Sequence, residues 1–447
     1  MRIQIQTYSV LLSVWFCQAT SADATDNWPR LRGPGALGVA AEAELPMTWD
    51  TEKNVEWKSD VPGRGWSSPI IWGHQVFLTT VVNAGRTEEA RKGLYFGGNR
   101  KTVSTDVHEW RVLCFDLENG KLLWNQLVHR GVPKNPIHIK NSYASETPVT
   151  DGRRVYAYFG NIGVFCFDLT GRLLWKRPFE MVRTRYDWGT AASPVLHGGR
   201  LYIVNDNEEQ SYLLALEADT GDELWRVNRD EGSNWSAPFI WENKLRTEII
   251  TPGTGRTRSY DLQGKQLYEF GGASSITIAT PYAKFGRLYV SSGYILDPEK
   301  PIWAIKPGAA GDISLASGDT SGEFIAWCRK DAAPYNPSTI IYGDQLYVLL
   351  DRGFVTSYDA HSGEPVYGRQ RLPGGRAFTA SPVAAGDRLY FVNEYGTTFV
   401  VKAGRDYELL AENSLGEETM CMATPAIAGK RLLIRTDSRL YCIRQSQ

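Results

Sequence analysis

The stretch SPVLHGGRLYIVNDNEEQSYLLALEADTGDELW, residues 193–225, contains one complete structural unit of this chain. A Ser-Pro pair opens the unit, and a short apolar run, the polar turn HGGR and the apolar run LYIVN follow. A third apolar run leads to a turn at Gly221, and the unit ends at Trp225. Short apolar runs separated by turn residues are typical of antiparallel strands. The stretch therefore predicts a small sheet of four strands.

The same pattern recurs along the chain, and a proline marks each copy. The prolines are Pro69, Pro148, Pro194, Pro238, Pro281, Pro337, Pro382 and Pro425. Five of the seven spacings between them lie between 43 and 46 residues. A four-stranded propeller blade needs roughly 40–45 residues. We therefore predict an all-β protein, an eight-bladed β-propeller of four-stranded antiparallel blades.

The end of the unit combines a tight turn with a large aromatic residue. A glycine occupies the turn at Gly120, Gly171, Gly221, Gly264 and Gly363. Glycine is expected there because it adopts the left-handed backbone conformation without steric cost. The next strand reaches an aromatic residue at Trp124, Trp175, Trp225, Tyr268 or Tyr367. We expect these rings to fill the gaps between blades, which widen away from the axis.

The two ends of the chain are predicted to share the last blade. The final unit ends at LYCIR, residues 440–444, without a fourth strand, and the segment NVEWKSD around Trp57 carries the outer-strand pattern. An N-terminal strand that completes the last blade removes the open edges of the array. The predicted organisation is a signal peptide at residues 1–24, an extended strap at 25–52 and a single propeller at 53–447.

The first residues have the pattern of an export signal. Arg2 gives a small positive region, Tyr8–Phe16 is mainly apolar, and Ala22–Ala24 forms an A-x-A cleavage site. The apolar run is shorter than the roughly 18 residues of a membrane-spanning helix. A lipid anchor at Cys17 is not expected, because the bulky Val14–Phe16 precedes it. We predict an exported protein, periplasmic or secreted, without a transmembrane span.

The charge distribution argues against nucleic acid as a partner. The chain has 49 Lys plus Arg residues against 50 Asp plus Glu, and no Lys/Arg run exceeds two residues. Proteins that bind duplex nucleic acid usually carry a clustered basic surface. This sequence predicts none.

The repeat resembles that of a known family. The motif Asp-x-x-(Thr)-Gly-x-x-x-Trp followed by Ser/Thr-x-Pro is similar to the repeat of pyrroloquinoline quinone (PQQ) propellers, and the resemblance runs from about Asn54 to Arg444. That family includes the quinoprotein dehydrogenases and the non-catalytic BamB-type outer-membrane assembly lipoproteins. Several stretches resemble an exported, BamB-like branch of it: WPRLRGPGALGV, KGLYFGGNR, RYDWGTAASP, VNDNEEQS and YNPS.

The resemblance implies two functions of different classes. Quinoprotein dehydrogenases place an adjacent Cys-Cys disulfide over the quinone and a Trp beneath it, with Glu, Asn and Asp ligands for calcium and an Asp base. This sequence has no adjacent Cys pair and no Cys-x-x-Cys-His haem site. We therefore predict a non-catalytic binding scaffold without cofactor or metal, whose partner is a protein or another envelope component. The alternative is an oxidoreductase that uses PQQ and calcium, or another metal, in an atypical pocket.

The enlarged loops indicate where a partner binds. In the first unit the extra residues lie between VFLTTVV and WRVLCFD, and between Trp124 and Pro148. Connections of a four-stranded blade alternate between faces, so both enlargements lie on the same face, and loops on a rigid scaffold often carry binding sites. The candidate binding residues on this face are Trp66, Tyr95, Arg100, Tyr143, Glu146, Trp188, Asn234, Trp235, Tyr335, Asn336 and Phe378. They predict a ligand or polymer funnel, or alternatively a plug that packs between blades.

Other residue types have simpler interpretations. Cys114, Cys166 and Cys442 share one repeat position and are predicted to be buried structural thiols. A zinc site at His108, His129 and His138, which flank the enlarged loops, stays open as an alternative. The Gly-x-Gly-x-x-Gly match at residues 33–38 is interpreted as part of the strap. The stretch GAAGDISLASGDTSG, residues 308–322, predicts a second contact surface on the opposite face.

Overall fold

The computed structural model describes residues 27–85, 91–94, 103–416 and 419–446. The predicted signal peptide, Cys17, Tyr95 and Arg100 lie outside these residues. No described helix is long and apolar enough to cross a membrane.

The described chain forms eight antiparallel sheets, which are the predicted blades. Strands β1 (Val39–Ala40) and β2 (Val55–Asp60) come first. Blade 1 contains β3 (Ile70–Trp72), β4 (Gln75–Asn83), β5 (His108–Asp116) and β6 (Leu122–Gly131). Blade 2 contains β7 (Val149–Thr150), β8 (Arg154–Phe159), β9 (Gly163–Asp168) and β10 (Leu173–Pro178). Blade 3 contains β11 (Val195–His197), β12 (Arg200–Asn205), β13 (Ser211–Glu217) and β14 (Glu223–Arg229).

Blade 4 contains β15 (Phe239–Glu242), β16 (Thr247–Pro252), β17 (Arg256–Tyr260) and β18 (Gln266–Gly271). Blade 5 contains β19 (Tyr282–Lys284), β20 (Arg287–Ser291), β21 (Ile302–Ile305) and β23 (Ile325–Arg329), with β22 (Gly311–Asp312) between the last two. Blade 6 contains β24 (Ile340–Tyr342), β25 (Gln345–Leu350), β26 (Phe354–Asp359) and β27 (Pro365–Arg371). Blade 7 contains β28 (Val383–Ala385), β29 (Arg388–Val392), β30 (Thr397–Lys402) and β31 (Leu409–Ser414). Blade 8 contains β32 (Ala426–Ala428), β33 (Arg431–Arg435) and β34 (Arg439–Ile443). The described residues include two short 3-10 helices, Pro34–Ala36 and Arg185–Asp187.

Strand β2 completes blade 8 as its outer strand. It pairs antiparallel with β34, and Trp57 lies opposite Cys442. The ends of the propeller therefore close in one sheet, as the sequence predicts. Two short segments extend other blades: β1 pairs in parallel with β28 of blade 7, and β22 pairs in parallel with β18 of blade 4.

The proline pattern is displaced by two residues in blade 6. In the other seven blades the marker proline directly precedes the first residue of the inner strand, but β24 begins at Ile340. Thr339 therefore occupies the repeat position, and the assignment of Pro337 to it is wrong. The physical reason is the order of the residues, because here the hydroxyl residue Ser338 follows the proline instead of preceding it.

Outer tryptophans connect five of the eight blades to the next blade. The indole N–H groups of Trp57, Trp124, Trp175, Trp225 and Trp327 donate to the carbonyls of Leu117, Leu169, Ala218, Leu262 and Ala360 at 2.8–3.1 Å. Each ring also lies on the turn glycine of the next blade, and a Cβ added at Gly221 would come within 2.5 Å of Trp175. Gly221 has a φ of 78° as well. The turn glycine is therefore required both by its backbone conformation and by the neighbouring ring.

The shared cysteine position faces these tryptophans. Cys114, Cys166 and Cys442 lie opposite Trp124, Trp175 and Trp57 on the adjacent strands. All five described cysteines are free and buried. Burial raises the pKa of the Cys166 thiol to about 12 and that of Cys328 to about 11. A small side chain leaves room for the large ring beside it, as the repeat pattern predicts.

The N-terminal strap crosses one end of the propeller axis. Its first part pairs with blade 1, where the Trp28 backbone bonds Ile71 at 2.9 Å. Four residues further along, the Arg32 guanidinium lies over the Tyr282 ring of blade 5 and donates to the Thr339 carbonyl of blade 6 at 2.7 Å. The strap then joins blade 7 as β1. The Gly33–Gly38 match lies within this strap and is followed by a strand.

Candidate functional site

Eight residues surround the axis, one from each blade, two positions before each inner strand. We call them the hydroxyl ring: Ser68, Thr147, Ser193, Ala237, Thr280, Ser338, Ser381 and Thr424. At six of the eight steps the backbone N–H of one member donates to the hydroxyl of the next at 2.9–3.1 Å. Buried backbone N–H groups need such acceptors. The ring therefore explains why Ser or Thr precedes most of the marker prolines.

A second ring lies two residues earlier in each blade, further towards the loops. We call it the mouth ring: Trp66, Ser145, Ala191, Trp235, Ile278, Asn336, Thr379 and Met422. The two rings line an axial cavity of about 290 Å³. Leu31 of the strap lines it at the far end, and Leu94 lines it from the enlarged loop of blade 1.

Aromatic side chains form one wall of the axial cavity. Trp188 lies 5.7 Å from Trp235 and 5.3 Å from His138, measured between ring centroids. The Trp235 indole donates to the Gly189 carbonyl at 2.6 Å, which fixes its orientation. Tyr335 completes the wall and packs against Tyr294 at 5.2 Å. The wall presents rigid apolar faces with few polar atoms, which is typical of ligand and partner sites.

A buried ion pair connects both enlarged loops of blade 1 to the turn between β29 and β30 of blade 7 at the cavity mouth. Lys140 Nζ lies 2.5 Å from Glu394 Oε1 and donates to the Gly93 carbonyl at 2.8 Å. The Gly93 N–H donates to Glu394 Oε2 at 2.9 Å, and the Thr379 hydroxyl donates to Glu394 Oε1 at 2.6 Å. We call Gly93, Lys140 and Glu394 the latch. It places Leu94 beside the axis, because Leu94 directly follows Gly93.

Five of the predicted binding residues line the axial cavity. They are Trp66, Trp188, Trp235, Tyr335 and Asn336. Tyr95 and Arg100 lie outside the described residues, so their position stays a prediction.

The other four predicted residues have different surroundings. Glu146 is buried and accepts a hydrogen bond from the Gly160 N–H at 3.1 Å, and burial raises its pKa. Phe378 is buried against Phe399. Asn234 bonds the Gly232 carbonyl and the Thr277 N–H. Tyr143 lines a separate pocket beside blade 1.

Sequence reasoning did not identify the latch or the hydroxyl ring. The Ser or Thr before most of the marker prolines was visible in the repeat and could have indicated the ring. Lys140 and Glu394 are 254 residues apart, and neither lies in a motif that would indicate the other.

Among its described lining residues the axial cavity has none of the carboxylates that the resemblance implies for a calcium-bound quinone site. Calcium requires oxygen ligands, carboxylates above all. The described lining residues include the cations Lys140 and Arg352 but no carboxylate. The histidines of the possible zinc site are in aromatic contacts: His108 and His129 pack near Trp110, and His138 packs on Trp188.

Comparison with known proteins identifies the family. The family model of outer membrane protein assembly factor BamB matches residues 35–236 and 164–447. Outer membrane protein assembly factor BamB of Yersinia pestis is 29% identical over 136 residues, which is 30% of this chain and 31% of that protein. The alignment thus spans about a third of this curated relative.

Solved structures show the same fold. BamB from Moraxella catarrhalis aligns with a TM-score of 0.54 at 10% identity, over 90% of this chain and 99% of that one. Quinohemoprotein alcohol dehydrogenase from Comamonas testosteroni aligns with a TM-score of 0.58 at 12% identity, over 96% and 82%. At these identities the likeness concerns the propeller alone. The match of the family model over most of the sequence shows that the chain belongs to the family of the outer membrane protein assembly factor BamB.

Proposed function

We propose that this chain is an exported, non-catalytic scaffold in cell-envelope assembly, and that a protein partner docks on the face that carries the axial mouth. The latch carries this proposal. It uses a buried ion pair and two loop insertions to fix the shape of a mouth whose walls are aromatic. A rigid aromatic surface on a propeller favours binding, because little side-chain freedom is lost when a partner docks.

The cavity chemistry also supports binding over catalysis. The described lining residues offer hydroxyl groups, amides and aromatic faces, but no carboxylate that would serve as a general base or as a calcium ligand. Membership of the BamB family supports a role in outer-membrane protein assembly. The names of the similar proteins state this role.

A complementation experiment tests the proposal. Tyr186 and Phe285 are exposed aromatics of similar accessibility, 48% and 40%, on opposite faces of the propeller. Tyr186 lies beside Trp188 at the mouth, and Phe285 lies in the turn between β19 and β20. In a host strain that lacks the gene, we expect wild type and Phe285→Glu to restore outer-membrane protein levels and Tyr186→Glu to fail. Equal complementation by both variants, at equal protein levels, would remove the mouth face from the proposal.

The alternative function has a separate test. Purified protein is titrated with PQQ and calcium, followed by absorbance, and then assayed for dye-linked oxidation of alcohols and sugars. The scaffold proposal predicts neither saturable quinone uptake nor turnover. Stoichiometric uptake with turnover would establish a quinoprotein oxidoreductase instead.

A further inference from the structure

The hydroxyl ring contains O–H groups that have no acceptor among the described residues. Six of its hydroxyl oxygens accept a backbone N–H from the neighbouring blade, and they belong to Ser68, Thr147, Ser193, Ser338, Ser381 and Thr424. A hydroxyl group also carries one proton that it can donate. None of the six donates it to a described residue, although all six line the axial cavity with accessible fractions of 7% or less. Since buried polar groups are normally hydrogen-bonded, the ring presents six O–H donors to the axis.

The two hydroxyl groups of the mouth ring differ, because each has an acceptor within the protein. Ser145 donates to Asn141 Oδ1 at 2.6 Å, and Thr379 donates to Glu394 Oε1 at 2.6 Å. In the hydroxyl ring, Thr280 also lines the cavity, and its hydroxyl has no partner among the described residues. A hydroxyl that accepts a backbone N–H becomes a stronger donor, since linked hydrogen bonds polarise one another. The unused donors are therefore concentrated at the depth of the hydroxyl ring.

The aromatic wall gives the second property of the ligand. The rings of Trp188, Trp235 and Tyr335 line the same cavity as the hydroxyl ring. The face of an aromatic ring carries negative charge density, so it favours the weakly positive C–H groups of an aliphatic ring. The cavity of about 290 Å³ is at the lower end of the roughly 300–1,000 Å³ of small-molecule sites. A sugar ring combines C–H faces with a rim of oxygen atoms, and it therefore satisfies the wall and the hydroxyl ring together.

Three arginines at the mouth end of blade 6 add positive charge beside the aromatic wall. We call them the cationic rim: Arg352, Arg371 and Arg376. All three are exposed, and none forms an ion pair with a described residue. Arg352 also lines the cavity. The adjacent Asp351 carboxylate is buried, and its oxygens accept the N–H groups of Tyr335 and Asn336 at 2.8 and 3.0 Å. A group of exposed like charges attracts ligands of the opposite sign.

Two buried guanidinium groups add to the positive charge around the hydroxyl ring. Arg435 donates to the Ser67 carbonyl at 2.9 Å, and Arg32 donates to the Thr339 carbonyl at 2.7 Å. Ser67 and Thr339 each adjoin a member of the ring, and both guanidinium groups belong to residues that are only 1% accessible. Neither arginine forms an ion pair with a described residue. Glu146 also adjoins the ring, but burial raises its pKa and so opposes its negative charge.

We propose that the axial cavity binds the terminal residue of an acidic saccharide chain. The C–H face of the sugar lies on the aromatic wall, its oxygen atoms accept from the hydroxyl ring, and the acidic groups of the chain lie at the cationic rim. A peptide with acidic side chains would match the rim, but it has no ring of oxygen atoms for the hydroxyl donors. The observations therefore favour a saccharide.

An array of acidic oligosaccharides tests the inference. The probes are oligomers of galacturonic, glucuronic and mannuronic acid and of sulfated galactose, immobilised beside their methyl esters or unsulfated counterparts. We expect the purified protein to bind at least one acidic oligomer, and calorimetry with that oligomer in solution to show saturable binding. The neutral counterpart keeps the sugar ring and loses the charge, so it should bind about tenfold more weakly.

Two variants locate the bound sugar. Arg352→Gln with Arg376→Gln should weaken binding about tenfold or more, because it removes charge from the cationic rim. Arg153→Gln with Arg405→Gln removes the same charge from exposed turns on the opposite face and should bind normally. Thr280→Val removes a ring hydroxyl that accepts no described N–H, so the printed hydrogen bond from the Thr280 N–H to Ser338 is kept. This variant should weaken binding about threefold or more, which is the effect of one hydrogen bond.

Three results would overturn the inference. One is the absence of saturable binding by every acidic oligomer at millimolar concentration. Another is binding of equal strength by the neutral counterpart, by the cationic-rim variant or by Thr280→Val. The third is a decamer of glutamate that binds as tightly as the best saccharide, which would make an acidic peptide the ligand. The inference does not rest on the proposed function, because complementation by Tyr186→Glu is measured without a saccharide and either proposal can fail alone.

Discussion

The buried ion pair of the latch allows a quantitative prediction of how substitutions at Lys140 and Glu394 change the stability of the protein. In Glu394→Gln the amide oxygen can replace only one carboxylate oxygen, either Oε2, which accepts from the Gly93 N–H, or Oε1, which accepts from the Thr379 hydroxyl, and the Lys140 ammonium stays buried without a counter-charge. Breaking a buried ion pair on one side costs about 3–5 kcal/mol. Lys140→Met leaves the Glu394 carboxylate unpaired and should destabilise the protein by a similar amount. These losses are large because both side chains are almost completely inaccessible.

The double variant separates an ion pair from two independent contacts. Lys140→Met with Glu394→Gln removes both charges, the amide oxygen can still accept from the Gly93 N–H, and the amide NH2 group can donate to the Thr379 hydroxyl oxygen. The double variant loses the bond from Lys140 to the Gly93 carbonyl. Replacing a buried ion pair by uncharged groups often changes the stability of a protein only a little. We therefore expect the double variant to lose only about 1 kcal/mol. Equilibrium unfolding in urea gives the four free energies of the cycle, and hydrogen exchange at Gly93 and Leu94 reports whether the loop opens. A double variant that loses the sum of the single losses would refute the coupling, because independent sites add.

Three further predictions concern the blades. Gly221→Ala should be less stable than Gly343→Ala by about 1–3 kcal/mol, since both glycines have a positive φ but only Gly221 has a ring within reach of the new Cβ; equal losses would contradict the docking of Trp175. Burial raises the pKa of Glu146 in the folded protein above its pKa in the unfolded chain. The folded state therefore loses stability as the pH rises from the unfolded pKa to the folded pKa. Glu146→Gln should therefore gain stability relative to wild type from pH 4 to pH 7.5, and a difference that does not change with pH would show that the carboxyl ionises freely. The buried cysteines should react with a thiol reagent only after denaturation, and a rapid reaction of the native protein would show that at least one of them is accessible.

The sequence allowed the propeller and its closure to be predicted, because one pattern recurs in every blade. The outer-strand pattern around Trp57 was enough to place the N-terminal strand in the last blade. The position of Pro337 was misleading, since its neighbouring Ser follows it. What aligns a repeat here is the hydroxyl that accepts from the neighbouring blade around the axis, and the proline only accompanies it.

Features that depend on contacts between distant residues could not be predicted. The latch joins side chains that are 254 residues apart in the sequence, and a lone Lys or Glu carries no indication of its partner. The addition of β22 to blade 4 involves Gly311 and Asp312, two residues with low strand propensity, so the pairing comes from the open edge of β18 and not from local sequence. Trp66, Trp235 and Asn336 were accessible to prediction because the repeat fixes which positions face the axis.

Site-specific photo-crosslinking in the living host tests the central claim most directly. A benzophenone amino acid is placed at Tyr186 on the mouth face or at Phe285 on the opposite face, and the crosslinked proteins are identified by mass spectrometry. The account predicts one recurrent product from position 186, an outer-membrane assembly component, and no such product from position 285. The same product from both positions, or none from position 186 while the protein is folded and exported, would contradict it.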